Sequence, residues 1–273
     1  MNVNIINDFI KIYRTEWLKT KMTLAFWLTI LYPFCCTLLV SLKFIGDKQM
    51  PVDPWPEYIN QANNVMSFFL PHFCILMVSF ATQIEYKNHG WKQIYSQPIS
   101  RLSVFFGKYA MILSLTLLSM TLALFIITGM GLLVHLIKPG LNFAITSFSF
   151  DTYIRLFVQT FLAGIFAITL QYWICMRLKG FMAPIIAGIF FTIIPIAYLM
   201  ILGFAGLLKK SKEVLKVFEY DPYSYPFSTL FHFQITKMKE TSWVPDILQL
   251  HLGLAFVILI LAAIDNQRRN VFA

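Results

Sequence analysis

Glu85-Tyr-Lys-Asn-His-Gly-Trp-Lys-Gln-Ile-Tyr-Ser-Gln-Pro-Ile-Ser-Arg-Leu-Ser-Val-Phe-Phe-Gly-Lys108 is a polar stretch between two hydrophobic runs, residues 65–84 and 109–137, and its reading decides the fold. Neither run contains Asp, Glu, Lys or Arg. As helices, both are long enough to cross the roughly 30 Å hydrocarbon core of a bilayer. The interruption therefore lies outside that core. Gly90 offers a bend, and Pro98 ends any helix before it, because proline lacks the amide hydrogen and crowds the preceding turn. A short helix over residues 91–97 is left between them. Trp91, Ile94 and Tyr95 stand on it at i, i+3 and i+4, so one face is aromatic and apolar while Lys92 and Gln93 point elsewhere. Such a helix on a stiff hairpin is shaped to enter a groove on a soluble partner. The same residues also fit a plain cytoplasmic loop whose Trp91 and Tyr95 anchor at the lipid headgroups.

Composition agrees with a membrane protein. Of 273 residues 58% are apolar and 13% charged, where soluble domains are roughly half apolar and a quarter charged. The net charge of +9 would suggest nucleic acid in a soluble protein, but positive-inside placement accounts for it here and no nucleic-acid partner is expected. Cys35, Cys36, Cys74 and Cys175 sit inside apolar runs without ligand spacing, so they read as small buried hydrophobes.

The chain reads as an all-α polytopic membrane protein with six spans, a single transmembrane domain over residues 1–273. Residues 2–21 form an amphipathic helix. Ile5, Ile6, Phe9, Ile10, Ile12, Tyr13 and Trp17 gather on one side, with Asn7, Asp8, Lys11, Arg14, Thr15 and Lys19 on the other. Glu16 and Leu18 break the pattern. A strong moment with basic residues on the wet face marks a helix lying in the membrane surface; a soluble helix packed on another protein shows the same pattern. The spans follow at about 22–42, 65–84, 109–137, 156–176, 181–208 and 247–264. Residues 43–64 read as a loop, and 177–180 as a tight turn.

Orientation follows from the short loops. With the amino terminus inside, the cytoplasmic side holds Lys11, Arg14, Lys19, Lys21, Lys87, Lys92, Arg101, Lys108, Arg177, Lys179, Arg268 and Arg269, while the short external loops hold Lys43, Lys48, Lys138 and Arg155. Basic residues favour the cytoplasm, so both termini and the 85–108 loop belong inside, in a plasma (bacterial inner) membrane. Residues 209–246 are then external. There a lysine-rich surface helix precedes Tyr220-Asp-Pro-Tyr-Ser-Tyr-Pro-Phe227, a turn-rich aromatic segment expected at headgroup depth, capping an exit or packing on the helix ends.

Several chemistries lack their residues. No GxxxxGK[ST] stretch occurs, so ATP and Mg would belong to another polypeptide, and no cofactor, catalytic residue or metal site is expected on this chain. No Asp, Glu, Lys or Arg stands at the middle of a span, which argues against an ion-coupled carrier. His72 and His251 are the pair that would ligate haem in a redox membrane protein; each also reads as a hydrogen-bonded packing residue. A stand-alone membrane immunity or interaction protein is the other alternative.

An acidic residue closing a span (Glu85), Gly90, a short apolar helix from Trp91 to Gln97, Pro98-Ile99-Ser100-Arg101, and Gly107-Lys108 opening the next span resemble membrane subunits of ABC-2 type ABC transporters. The layout also looks like the permeases of bacteriocin or lantibiotic export and immunity systems. The resemblance implies a coupling helix at 91–97 that docks on an ATP-binding cassette subunit. Trp91, Ile94 and Tyr95 would fill its groove, and Glu85 and Arg101 would orient the hairpin. It also implies an amino-terminal elbow helix carrying Phe9, Tyr13, Arg14 and Trp17, and an external helical insertion before span six. Two copies, or this chain with a sister permease, would enclose the path and export a lipophilic or amphipathic compound or peptide.

Overall fold

The computed structural model describes residues 5–47, 53–87, 94, 96–141, 143, 150–178, 180–204, 219–226 and 243–268. The described elements are helical: α1 (Ile5–Thr20), α2 (Leu24–Gly46), α3 (Pro54–Lys87), α4 (Arg101–Ile137), α5 (Phe150–Arg177), α6 (Met182–Phe204) and α7 (Asp246–Arg268), with a 3-10 turn at Pro139–Leu141. Five helices, α2, α3, α4, α5 and α7, are long and apolar enough to cross a membrane. In α6 the apolar stretch counted among the described residues, Met182–Pro195, is shorter.

Helices α3, α4 and α5 form the centre. Helix α2 packs on α3 and α4, α6 leans on α3 and α5, α7 lies along α5, and α1 crosses α4. The main buried cluster runs through this centre and includes Tyr58, Met66, Leu70, Met77, Phe105, Ile112 and Tyr172. Outward-facing side chains on α6 and α7 are apolar, among them Ile186, Phe190, Leu254 and Val257. In water such a surface would drive aggregation; in lipid it is the expected exterior.

Three boundaries differ from the sequence expectation. Residues 54–64, expected as loop, extend α3 to 34 residues. Trp55, Tyr58, Ile59 and Ala62 are buried there, the Trp55 indole donates to the Phe143 carbonyl, and the Tyr58 and Ser41 hydroxyls share a hydrogen bond of 2.7 Å. Those positions follow i, i+3, i+4, i+7 spacing, which the local richness in Pro, Asn and Asp obscures. Helix α4 begins at Arg101, eight residues ahead of the span expected from 109. Ser100 caps it, accepting from the Ser103 amide at 3.0 Å, which satisfies one of the orphan donors of the first turn. Gly107 and Lys108 therefore lie inside α4 instead of opening it. Helix α5 starts at Phe150, ahead of the span expected from 156.

The segment Glu219–Pro226 packs into the bundle. Tyr223 is fully buried, donates to Gln171 Oε1 at 2.8 Å, and stacks on Phe191 of α6 with ring centroids 5.9 Å apart. Gln171 lies near the Arg177 end of α5, far from the end where α7 starts. A buried amide needs partners. Gln171 has them in Tyr223 and, through Nε2, in the Pro184 carbonyl at 3.0 Å. The rest of the expected insertion lies outside the described residues.

Candidate functional site: a buried charge cluster at the root of the hairpin

Helix α1 meets the bundle along one narrow line. Ile12, Glu16 and Thr20 are buried on it, while Ile6, Ile10 and Leu18 stay exposed. The approach is close because α4 offers Gly107, where a Cβ would stand 2.6 Å from Ile12 Cγ2. Phe9, Tyr13 and Trp17 form a stacked ladder, with centroids 6.5 Å and 6.4 Å apart. Tyr13 donates to Ser114 Oγ of α4 at 3.0 Å, and Arg14 is exposed.

Glu16, which breaks the amphipathic pattern of α1, is explained by what it meets. Lys108 of α4 is fully buried. Its Nζ lies 2.6 Å from Glu16 Oε2, 3.1 Å from Glu85 Oε1 of α3 and 3.3 Å from the Ala81 carbonyl. Lys19 completes the cluster, 2.8 Å from Glu16 Oε1 and 3.0 Å from Glu85 Oε1. Two carboxylates and two ammonium groups balance, the arrangement that lets charge remain in a low-dielectric site. Burial by itself would raise the Glu16 pKa, but Lys108 and Lys19 outweigh it and hold the carboxyl below its usual value. Burial would lower that of Lys19, and Glu16 with Glu85 reverses the direction.

The cluster ties together the helix that enters the hairpin, the helix that leaves it, and α1. A cavity of about 550 Å³ opens beside it, between Lys11, Thr15 and Lys19 of α1, Ile84 of α3, and Ile94 and Gln97 of the hairpin. Within the hairpin, Ile94 is helical and its carbonyl accepts from the Gln97 amide at 3.3 Å. Pro98 is exposed in the following bend. Gly90, Trp91 and Tyr95, and with them most of the expected coupling helix, lie outside the described residues. Arg101 is placed away from the cluster, with Nη1 donating to the Gln267 carbonyl of α7 at 3.3 Å. Arg177 and Asp265, 3.0 Å apart, join α5 to α7 at the same end.

The amino-acid sequence thus points to Glu85 and Lys108 as site residues but leaves Glu16 and Lys19 on the amino-terminal helix, outside the site. The signal for them is an acid on an otherwise apolar helix face. His72 and His251 have separate neighbours. The His251 ring stacks on Tyr225 at 4.2 Å and bonds the Glu219 carbonyl oxygen at 2.7 Å; His72 sits against Phe68 and Phe69.

No curated protein matches the chain. The family model described as ABC-2 family transporter protein matches residues 12–195, from the α1 line that meets Gly107 through the hairpin and into α6. On that match, which covers most of the chain and the whole charge cluster, the protein belongs to the ABC-2 family of transporter proteins.

Proposed function

We propose that this transporter-family chain is the membrane-spanning permease subunit of an ATP-driven exporter, working with a separate ATP-binding subunit that grips the hairpin between α3 and α4. The observation that carries this reading is the cluster of Glu16, Lys19, Glu85 and Lys108, which makes the hairpin root and α1 one stiff body. A push on the hairpin tip is then passed to α3 and α4 instead of being absorbed in a loose loop. Trp91, Ile94 and Tyr95 form the face offered to the partner's groove. ATP and Mg bind on the partner, whose closure drives an inward-open path to an outward-open one by rigid-body motion.

In this reading α6 (Met182–Phe204) is the fifth of six spans, α1 lies in the membrane surface as an elbow helix, and both termini face the cytoplasm of a plasma membrane. The path forms between two copies or with a sister permease, and the cargo is lipophilic or amphipathic. The segment at 219–226 dips into the bundle from the outer side, where it closes the exit. The reading is tested by affinity purification of the chain from its native membrane. An ATP-binding subunit should copurify, and Trp91→Ala should abolish nucleotide-driven transport while insertion stays normal. Purification with no such subunit would point instead to a stand-alone membrane interaction protein.

A further inference from the structure

The cavity of about 550 Å³ between α1 and the hairpin root has polar walls in Lys11, Lys19 and Gln97 and apolar walls in Ile84, Ile94 and Ile99. Glu16 and Glu85 also reach it, but lysines neutralise both. Lys108 Nζ sits among Glu16, Glu85 and the Ala81 carbonyl. Lys19 Nζ donates to the same two carboxylates, and an ammonium has three donors. Its third N–H remains, on a side chain that is 31% exposed. Two acids and two bases cancel, and Lys11 is the cation left over. It is exposed, and among the described residues it makes no ion pair, even with Asp8 one turn earlier.

A net positive cavity with free donors and isoleucine walls suits an anion that carries a hydrocarbon body. The space is that of a small-molecule site. Its position narrows the choice. It lies where the apolar run of α3 gives way to the polar hairpin, beside α1, whose exposed Ile6, Ile10 and Leu18 suit the boundary between headgroups and acyl chains. A free phosphate would leave Ile84, Ile94 and Ile99 facing water. A lipid covers them with its glycerol and first methylenes while its phosphate takes charge-assisted hydrogen bonds from the lysines. We propose that this cavity binds one anionic phospholipid of the cytoplasmic leaflet by its phosphodiester, which braces α1 against the hairpin. The inference rests on the placing of α1 in the membrane surface made above and adds a binding site and its ligand.

Native mass spectrometry of the chain purified with its ATP-binding subunit, titrated with phosphatidylglycerol or phosphatidylcholine, counts the bound lipid. Phosphatidylglycerol should bind as a single lipid, at least about tenfold tighter than phosphatidylcholine. Lys11→Gln should weaken it about fivefold, the share of one lysine facing an anionic headgroup. Arg14→Gln removes an exposed cation of the same helix that does not line the cavity, and should change binding less than about twofold in physiological salt. Thr15→Trp keeps every charge but fills the space, and should abolish binding; the Thr15 hydroxyl bonds the Lys11 carbonyl of its own helix, so α1 loses little by the change. Glycerol 3-phosphate should not displace the lipid. Its displacement of the lipid at millimolar concentration would assign the site to a soluble phosphate, and expulsion of the lipid by the ATP-binding subunit would assign it to that partner; either overturns the proposal. So does an equal loss in Lys11→Gln and Arg14→Gln, or no preference over phosphatidylcholine, and both leave the permease reading intact. A chain that purifies without an ATP-binding subunit loses the permease reading, and the same lipid counts still decide this inference.

Discussion

Lys108 Nζ of α4 lies 2.6 Å from Glu16 Oε2 of α1, and neither side chain meets solvent to any useful extent. The pair joins the amino-terminal helix to the helix that follows the hairpin, and Glu85 brings in the helix that precedes it. Removing one member strands the others, which sets the cost of each substitution.

Lys108→Met should destabilise the protein by about 3–5 kcal/mol, because Glu16 and Glu85 then share only the partly exposed Lys19. Glu16→Gln with Lys108→Met leaves one carboxylate and one ammonium and should recover most of that loss. Unfolding midpoints in detergent measure both. Equal destabilisation of the single and double variants would contradict the account.

The cluster also sets a pH window. The Glu16 carboxyl is held below its usual value of 4.5, so its contribution is present above that value and is lost as the pH falls through the lower, folded value. The Lys19 ammonium is held above its usual value of 10.5, so its contribution is present below 10.5 and fades as the pH rises through the folded value. Stability should be flat through the neutral range and fall in acid, with α1 detaching first. Quenching of a lone Trp17 by an aqueous quencher, followed against pH, reads this; with Glu16→Gln the acid step should shrink.

Gly107→Ala should push α1 away from α4, since the added Cβ would stand 2.6 Å from Ile12 Cγ2 and 3.4 Å from the Tyr13 amide nitrogen. The β-branched Ile12 has little rotamer freedom with which to yield. A loss of about 1–3 kcal/mol is expected for such overpacking. Ile12→Ala in the same chain should relieve the clash at the side chain, which thermal unfolding of the double variant would show as partial recovery.

Tyr223→Phe keeps the stack on Phe191 but removes the donor to Gln171 Oε1. Leaving that oxygen unpaired should cost about 1–3 kcal/mol. Because the segment is short, the cost should appear as its release from the bundle. Limited proteolysis between α6 and α7 should accelerate several-fold, with the rest of the helical core unaffected.

Much of this fold is legible in the order of the amino acids. The charge-free runs on either side of Glu85 and Lys108 dictate membrane helices, since a backbone in hydrocarbon must satisfy its own hydrogen bonds. Amphipathic spacing locates α1 over nearly its whole observed length. Its partner face is harder to read. The apolar stripe points to Ile6 and Ile10, both exposed, while the buried line runs through Glu16. A hydrophobic period finds apolar residues; it cannot foresee that a carboxylate will be buried because a lysine on another helix neutralises it.

Sequence alone dictates the helices and the polar hairpin between α3 and α4, because these follow from local patterns of apolar, charged and helix-breaking residues. Tertiary packing adds that Glu16, Lys19, Glu85 and Lys108 share one site and that Tyr223 reaches Gln171. Each of these joins residues far apart in the chain, and such contacts are set by how helices cross. The crossings depend on close approach at positions such as Gly107 and on the need of every buried charge and amide for a partner.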